Sequence, residues 1–239
     1  LHKAIRRQRQ MCIRDSLNNP RSLSEIYTDE ELAAMSDTEK TNALYKLWTN
    51  FCVSESYEPG STFKPFTVAA GLEEGVVHDG DTYECKGFEM VGPDKIKCHS
   101  YSTTGSHGVL TLSEALENSC NPYMINIAIK LGNVRFAQYE KLFGFGARTG
   151  IDLPGEKRGF IPNSKFYDKV YRGRWNSSTV ISIAIGQGEI LATPLQICNL
   201  AATVANRGYY ITPHVVKEIQ DTPLDTLYSK RHYTSVDTH

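Results

Sequence analysis

A serine and a lysine in the first third of the chain stand at the spacing of a nucleophile and its base. Ser61 and Lys64 are three residues apart, after a Pro-Gly turn, at the start of the apolar run 62–71. This run predicts a buried helix, in which one turn brings the Lys64 amine to the Ser61 hydroxyl. Because burial lowers the pKa of a lysine, the amine can take the serine proton. The alternative is a serine that caps the helix beside a solvated lysine.

A second polar pair, Ser119 and Asn121, lies in a loop between two predicted helices. A hydroxyl and a carboxamide at this spacing can face one cleft, where the hydroxyl relays a proton and the amide binds a peptide bond. The Ser-x-Asn spacing also occurs at residues 16–18, so the pattern alone is weak. An ordinary pair of helix caps is the alternative.

Cys85 and Cys98 stand out as a local pair among the six cysteines. They flank residues 86–97, a Gly- and Pro-containing stretch that predicts a hairpin. The two thiols can close a disulfide in an oxidising compartment or stay unpaired. With His99 they also form part of a zinc ligand set. Zinc takes four ligands, and since no second cluster stands nearby in the sequence, we expect no metal site.

Composition excludes several classes of protein. Lys and Arg total 26 against 27 Asp and Glu, and the net charge of −1 argues against nucleic acid as a partner. Hydrophobic residues are 40% of the 239, enough for a core. No apolar run approaches the ~20 residues of a membrane span. The sequence also contains no Gly-x-Ser-x-Gly, His-Glu-x-x-His or phosphate-loop motif.

Helices dominate the predicted secondary structure. Capping boxes mark four helix starts, at residues 28–31, 36–39, 111–114 and 193–196. The remaining predicted elements are helices over 122–131 and 133–143, strands around Cys85 and Cys98 and over 180–185 and 209–219, and an ordered loop over 144–162.

The first sixteen residues differ from the rest of the chain. Five of them are Lys or Arg, and no helical or strand period runs through residues 1–16. A basic arm for nucleic acid or anionic lipid is one interpretation. We expect instead a leader foreign to the fold, so that the domain occupies residues 17–239.

Four segments resemble the transpeptidase domain of class B, monofunctional penicillin-binding proteins. They are EPGSTFKPFTVAAGLEEG, LTLSEALENSCNP, FGFGARTGIDLPGE and IAIGQGEILATPLQ. Ser-x-x-Lys followed by Ser-x-Asn forms the first two of that family's three motifs. The likeness covers residues 17–239 and is greatest to the elongation, division and spore-cortex enzymes of Gram-positive bacteria. It implies the α+β fold of serine β-lactamases and penicillin-binding proteins, an antiparallel sheet with a helical subdomain.

The resemblance implies a role for each residue of the two motifs. Ser61 would be the acyl-enzyme nucleophile and Lys64 its base. Ser119 would pass the proton to the leaving D-alanine, and Asn121 would bind the substrate backbone. The backbone N–H of Ser61 would form half of an oxyanion hole. The family uses no cofactor, so none is implied.

Two further features take their meaning from the resemblance. Gly186, Gln187 and Gly188 match a landmark near the floor of the family's active site, and they are assigned here to substrate binding and to a structural role. Cys85 and Cys98 match a cysteine pair in relatives that work outside the cytoplasm, which favours the disulfide.

The family's third motif, Lys-Thr-Gly or Lys-Ser-Gly on an edge strand, does not occur in this sequence. Arg148-Thr-Gly150 is the nearest match, but it lies inside the 143–156 segment, which the family has in addition to the true triplet. We therefore expect a partial, helix-dominated domain in which most of the sheet is missing, including the N-terminal strands. We also expect this chain to be inactive alone, although its parent is a D,D-transpeptidase.

The resemblance also implies partners and a location. The substrates would be peptidoglycan stem peptides that end in D-Ala-D-Ala, with β-lactams as inhibitors and a membrane glycan polymerase as a partner. Nucleic acid is not expected to bind. The catalytic domain would lie on the extracytoplasmic side of the cell membrane. The alternatives within the same fold are a D,D-carboxypeptidase, a β-lactamase, a β-lactam sensor and a non-catalytic module.

Overall fold

The computed structural model describes residues 23, 24, 26–215 and 230–232, which belong to two compact units, Leu1–Glu55 and Ser56–His239. The leader predicted over residues 1–16 lies outside the described residues.

Three helices make up the described part of the first unit: α1 (Asp29–Ala34), α2 (Asp37–Trp48) and α3 (Phe51–Ser54). Thr28 and Ser36 cap the first two helices. The Thr28 hydroxyl accepts from the Glu31 N–H, and the Ser36 hydroxyl accepts from the Glu39 N–H. In turn, the side chain of each glutamate accepts from the backbone N–H of its cap residue. These reciprocal bonds satisfy donors that a helix start leaves unpaired, and they confirm two of the predicted starts.

Helices also dominate the second unit. Its α-helices are α4 (Lys64–Glu73), α5 (Leu112–Glu117), α6 (Asn121–Leu131), α7 (Asn133–Leu142), α8 (Ser164–Tyr171), α9 (Ser177–Val180) and α10 (Pro194–Ala205). Its 3₁₀ helices are Gly60–Phe63, His99–Ser102 and Ile181–Ile185. The predicted capping boxes at Thr111 and Thr193 are both present. Within the described residues, every helix is too short or too polar to cross a membrane.

The strands of the second unit form small antiparallel pairs. β1 (Thr82–Cys85) pairs with β4 (Gly108–Thr111), β2 (Phe88–Val91) with β3 (Asp94–Lys97), and β5 (Tyr209–Ile211) with β6 (Lys230–His232). The β2–β3 pair is the hairpin that the sequence predicts between Cys85 and Cys98, with Gly92 and Pro93 at its turn. The result is a helix-rich α+β unit with little sheet, as expected.

Two strand predictions need correction. Residues 180–185 end α9 and form a 3₁₀ helix, whose side chains pack against α6. A short apolar run cannot be assigned to strand or helix by periodicity alone. Here the run packs against α6 and is helical. The strand predicted over 209–219 ends at Ile211, and residues 216–219 lie outside the described part of the chain.

An aromatic cluster in the core holds the start of α4. The rings of Phe63 and Phe66 are completely buried, with centroids 4.6 Å apart. Phe145 packs 5.0 Å from Phe63, and Phe143 meets Phe66 edge-on at 5.2 Å. Lys64 stands between the two phenylalanines in sequence and is only 2% exposed. The same packing that stabilises the helix therefore removes the lysine from water.

Gly186 supports the turn that carries Ser61. The Gly60 N–H donates to Gly186 O at 2.7 Å, which joins the turn at the start of Gly60–Phe63 to the end of Ile181–Ile185. Gly186 has φ +71°, and a Cβ at this position would lie 2.2 Å from Gly60 O. Only glycine combines this backbone conformation with so close an approach.

The variant Gly186→Ala tests this close approach. We expect the free energy of unfolding to fall by ~3 kcal/mol, because the left-handed backbone is strained and the turn at Gly60 must move. Gly92→Ala is the matched control, since Gly92 has φ +59° but no atom within 4 Å of an added Cβ. The control should lose only ~1 kcal/mol. Equal losses in urea denaturation would contradict the role of Gly186.

Candidate active site

The amine of Lys64 lies at the centre of a polar cluster. Its Nζ donates to Ser119 O at 2.6 Å, to Ser119 Oγ at 2.8 Å and to Asn121 Oδ1 at 2.6 Å. These three contacts match the three N–H groups of an ammonium ion. The structure thus brings together three of the residues that the sequence assigns to the site.

Ser61 joins the cluster through Ser119. The two hydroxyl oxygens are 3.0 Å apart, so Ser61 Oγ, Ser119 Oγ and Lys64 Nζ form a continuous hydrogen-bonded chain. The sequence predicts that Lys64 faces Ser61 directly, whereas the hydrogen bonds of the amine go to Ser119 and Asn121. Ser61 itself is exposed, as a nucleophile must be to reach a substrate.

The loop between α5 and α6 shapes this arrangement. Ser119 has φ +49°, a left-handed conformation that is rare and strained for a residue other than glycine. Backbone bonds hold the strained residue: the Ser119 N–H donates to Leu116 O at 3.0 Å and the Cys120 N–H to Ala115 O at 2.8 Å. Asn121 then begins α6, and its Nδ2 donates to Lys97 O at 3.5 Å.

Burial lowers the pKa of Lys64 from 10.5 to about 8. Desolvation is the largest cause, and the nearby thiols of Cys98 and Cys120 oppose it. An amine with this pKa is neutral in about a tenth of the molecules at pH 7, whereas an ordinary lysine is almost wholly charged. The site therefore contains a group that can accept a proton at physiological pH.

The Gly186-Gln187-Gly188 landmark forms a tight turn below the nucleophile. Gln187 N–H donates to Ser182 O at 3.1 Å, and Gly188 has φ +87° with Ser182 Oγ 2.6 Å from where a Cβ would lie. Together with the contact of Gly186 to Gly60, this supports the structural role given to the motif. Substrate binding by the three residues stays a prediction.

The arrangement of the cysteines differs from the one expected from the sequence. Cys85 and Cys98 are not disulfide-bonded; they face His107 and Cys120, and the four ligand atoms all lie within 4.8 Å of one another. His107 Nδ1 is 3.7 Å from the Cys85 sulfur and 3.6 Å from that of Cys98. The expected disulfide is absent, and the argument that no further zinc ligands stand nearby is wrong.

Non-local folding explains why the sequence did not reveal this cluster. Cys85 ends β1, and Gly108, directly after His107, is its partner in β4. Cys98 follows the β2–β3 hairpin, and Cys120 comes from the loop that carries Ser119. The signal available was a Cys-Asn-Pro at the α6 start together with His107 before a strand. The β1–β4 register brings His107 to Cys85, and Cys120 joins them only through the fold of the second unit.

The four side chains form a suitable set for Zn²⁺. Three thiolates and one imidazole around a small buried volume are a common tetrahedral ligand set for this ion. Cys120 lies between Ser119 and Asn121, so an ion bound here would restrain the loop that holds both. The cysteine and histidine side chains would bind the ion, and the serine and lysine side chains remain separate from it.

The chain belongs to the penicillin-binding protein transpeptidase family. The model described as "Penicillin binding protein transpeptidase domain" matches residues 24–238. Two curated relatives illustrate the likeness. Peptidoglycan D,D-transpeptidase MrdA of Acinetobacter baumannii is 35% identical over 168 residues, which are 70% of this chain and 25% of the relative. Stage V sporulation protein D of Bacillus subtilis is 36% identical over 170 residues, 71% of this chain and 24% of the relative.

Solved structures confirm the fold. PBP2 of Pseudomonas aeruginosa, in complex with WCK 5153, superimposes with a TM-score of 0.66 at 32% identity, over 73% of this chain and 40% of that one. PBP2 of Helicobacter pylori, in complex with MreC, gives a TM-score of 0.67 at 26% identity, over 79% and 35%. The chain spans about a quarter of the length of the curated relatives it matches.

We expect the purified chain to bind one equivalent of Zn²⁺ through Cys85, Cys98, His107 and Cys120. Chelation should lower the melting temperature, because the thiols then lose the bond that holds three loops together. Metal content by mass spectrometry, and the visible spectrum after Co²⁺ replacement, measure the binding. Cys98→Ser should lose the metal. Cys198→Ser, at an exposed cysteine outside the cluster, should keep it; equal zinc content in both variants would contradict the assignment.

Proposed function

We propose that this chain carries the acylation machinery of a peptidoglycan D,D-transpeptidase. The hydrogen-bonded chain from Ser61 through Ser119 to Lys64 is the observation that supports this most strongly. It connects an exposed hydroxyl to a buried amine of lowered pKa, as a serine nucleophile requires. The curated relatives that carry the name D,D-transpeptidase support the same activity.

The neutral form of Lys64 defines the direction of proton flow. A neutral amine has two N–H groups and one lone pair. Two contacts of Nζ are to pure acceptors, Ser119 O and Asn121 Oδ1, and these take the two N–H groups. The lone pair then faces Ser119 Oγ. The Ser119 hydroxyl donates to Lys64, and the Ser61 hydroxyl donates to Ser119, so a proton leaves Ser61 in two short steps.

The covalent chemistry follows from this relay. Ser61 Oγ attacks the carbonyl carbon of the penultimate D-alanine, and its proton passes through Ser119 to Lys64. The C–N bond to the terminal D-alanine then breaks, and the leaving amine takes the proton from Lys64 through Ser119, since Ser61 Oγ is now part of the ester. An amine of a second stem peptide attacks the ester, forms the crosslink and restores Ser61. With a β-lactam the broken C–N bond lies in a ring, so the leaving group stays attached and the ester persists.

Substrate binding by the chain alone is proposed to be weak. The sequence contains no Lys-Thr-Gly or Lys-Ser-Gly, the triplet that supplies a cation for the substrate carboxylate in related enzymes. Losing this charge and an oxyanion donor costs several orders of magnitude in rate. We therefore propose that the isolated chain is almost inactive toward β-lactams while its Ser61 relay remains intact.

The proposed partners and cellular location of the whole protein are inferred from its relatives. A structure described as "Structural coordination of polymerization and crosslinking by a peptidoglycan synthase complex" matches with a TM-score of 0.68 at 31% identity, over 84% of this chain and 35% of that one. This match supports a glycan polymerase as the partner of the whole protein. Because the proposed substrate is part of the cell wall, we propose that the protein acts on the extracytoplasmic side of the membrane. We propose that its catalysis uses no cofactor and that it does not bind nucleic acid.

The relay can be tested with an activated ester, which has no carboxylate to be bound. We expect p-nitrophenyl acetate to acetylate Ser61 in a burst of one equivalent per chain, located by peptide mass spectrometry. Ser61→Ala should abolish the burst. Ser113→Ala, at an exposed serine of α5, should leave it unchanged. A full burst in Ser61→Ala would exclude Ser61 as the nucleophile.

The burst rate should depend on pH through Lys64. Below pH about 8 the amine holds a proton and cannot accept another, so the rate should rise with pH and level off above about 8. Lys64→Arg should remove this rise, because a guanidinium stays protonated throughout. Stopped-flow absorbance gives the profile. A midpoint near the ordinary lysine pKa would show that Lys64 is not desolvated.

Fluorescent penicillin tests the intact function separately. We expect labelling of this chain at least ~1,000-fold slower than that of a complete penicillin-binding protein, because of the missing cation and oxyanion donor. Rapid stoichiometric labelling of Ser61 would overturn the proposed inactivity. Release of the label by water would favour a β-lactamase or carboxypeptidase, and product analysis with an added amine acceptor would identify a transpeptidase.

A further inference from the structure

A cavity of about 580 Å³ lies away from the serine site, lined by residues of α7, α8, residues 158–164 and the Ile181–Ile185 turn. Its wall includes five aromatic rings, those of Phe136, Phe145, Phe160, Tyr167 and Trp175. None of the four residues of the serine relay lines it. The volume lies in the range of small-molecule sites, and aromatic walls with few polar groups are typical of them.

One residue of this wall, Glu140, carries a buried carboxyl group. Glu140 is only 2% exposed, and its Oε1 has no hydrogen-bond partner. Burial raises the pKa of Glu140 to about 8, and the neighbouring Lys141 offsets this only in part. A buried carboxyl that lacks a partner destabilises a fold unless something else uses it.

Two other polar groups of the wall already have partners. Tyr167 OH donates to Glu189 at 3.3 Å, and Trp175 Nε1 donates to Asp168 at 2.7 Å. The rings of Tyr167 and Trp175 lie 5.3 Å apart. Among the buried side-chain atoms that lack a partner in the described residues, Glu140 Oε1 is the one whose residue lines this cavity.

We propose that this cavity binds an organic ammonium ion, with its apolar body between the aromatic rings and its N–H groups donating to Glu140. Aromatic faces attract cations through their quadrupole, and a carboxylate partner adds a charge-assisted hydrogen bond. The carboxylate of Glu189, which accepts from Tyr167 OH, adds to the negative electrostatic potential at the cavity. Lys141 and Arg158 also line the cavity, but both are exposed, so water screens their charge.

This site is separate from the proposed transpeptidase chemistry and is tested independently of it. At pH 9 Glu140, with a pKa of about 8, is mostly ionised, whereas an alkylammonium ion is still protonated. At this pH three probes of one length distinguish the head group: hexylammonium, 1-hexanol and hexanoate. Trp175 fluorescence follows binding in a Trp48→Phe background, since these are the two tryptophans of the chain. We expect hexylammonium to bind with a dissociation constant on the order of 1 mM, as a seven-atom ligand allows. It should bind at least 10-fold more tightly than the other two probes.

Glu140→Gln keeps the shape of the side chain and removes its charge. We expect it to weaken hexylammonium binding at least 10-fold and to leave 1-hexanol binding unchanged. Glu117→Gln, at an exposed glutamate of α5, is the matched control and should bind like the wild type. The proposal is overturned if 1-hexanol or hexanoate binds as tightly as hexylammonium, if no probe binds, or if Glu140→Gln binds hexylammonium normally. The probe comparison requires no variant, so it tests the proposed preference for an ammonium ion even if Glu140→Gln fails to fold.

Discussion

The candidate active site depends on holding one lysine amine out of water. Lys64 follows Phe63 into the aromatic core, where an unpaired ammonium ion would cost several kcal/mol. Its three hydrogen-bond acceptors all come from Ser119 and Asn121, so the loop between α5 and α6 must lie within bonding distance of α4. Burial lowers the lysine pKa, and the loop keeps the amine bound; the two effects together make a base that is both available and positioned.

The same loop serves a second cluster. Ser119 and Asn121 face Lys64, while Cys120, the residue between them, faces the thiols of Cys85 and Cys98 and the ring of His107. A backbone held on both sides by side-chain groups can keep Ser119 in its strained left-handed conformation. This explains how a short irregular segment can place a proton relay as precisely as a helix would.

The packing of the turn at Ser61 is equally demanding. Gly186 approaches Gly60 so closely that it cannot carry a Cβ, and the contact ties the turn at Ser61 to the Ile181–Ile185 helix. That helix was predicted as a strand, because its apolar β-branched residues fit either element. Local patterns do not distinguish a helix from a strand when a segment is buried on all sides, because packing against neighbouring elements then determines its conformation.

The local chemistry of the candidate site can be predicted from the sequence alone. Short-range rules set the capping boxes and the hairpin turn, and the Ser-x-x-Lys and Ser-x-Asn spacings identified Ser61, Lys64, Ser119 and Asn121. Folding sets how those residues connect, with Ser119 between Ser61 and Lys64, and how three cysteine side chains and one histidine meet. Both depend on contacts between distant segments, which arise from the pairing of β1 with β4 and the packing of α4 on α6. Such contacts leave no periodic signal in the sequence. They form only because the packing energy of the whole core offsets the entropy that is lost when a long loop closes.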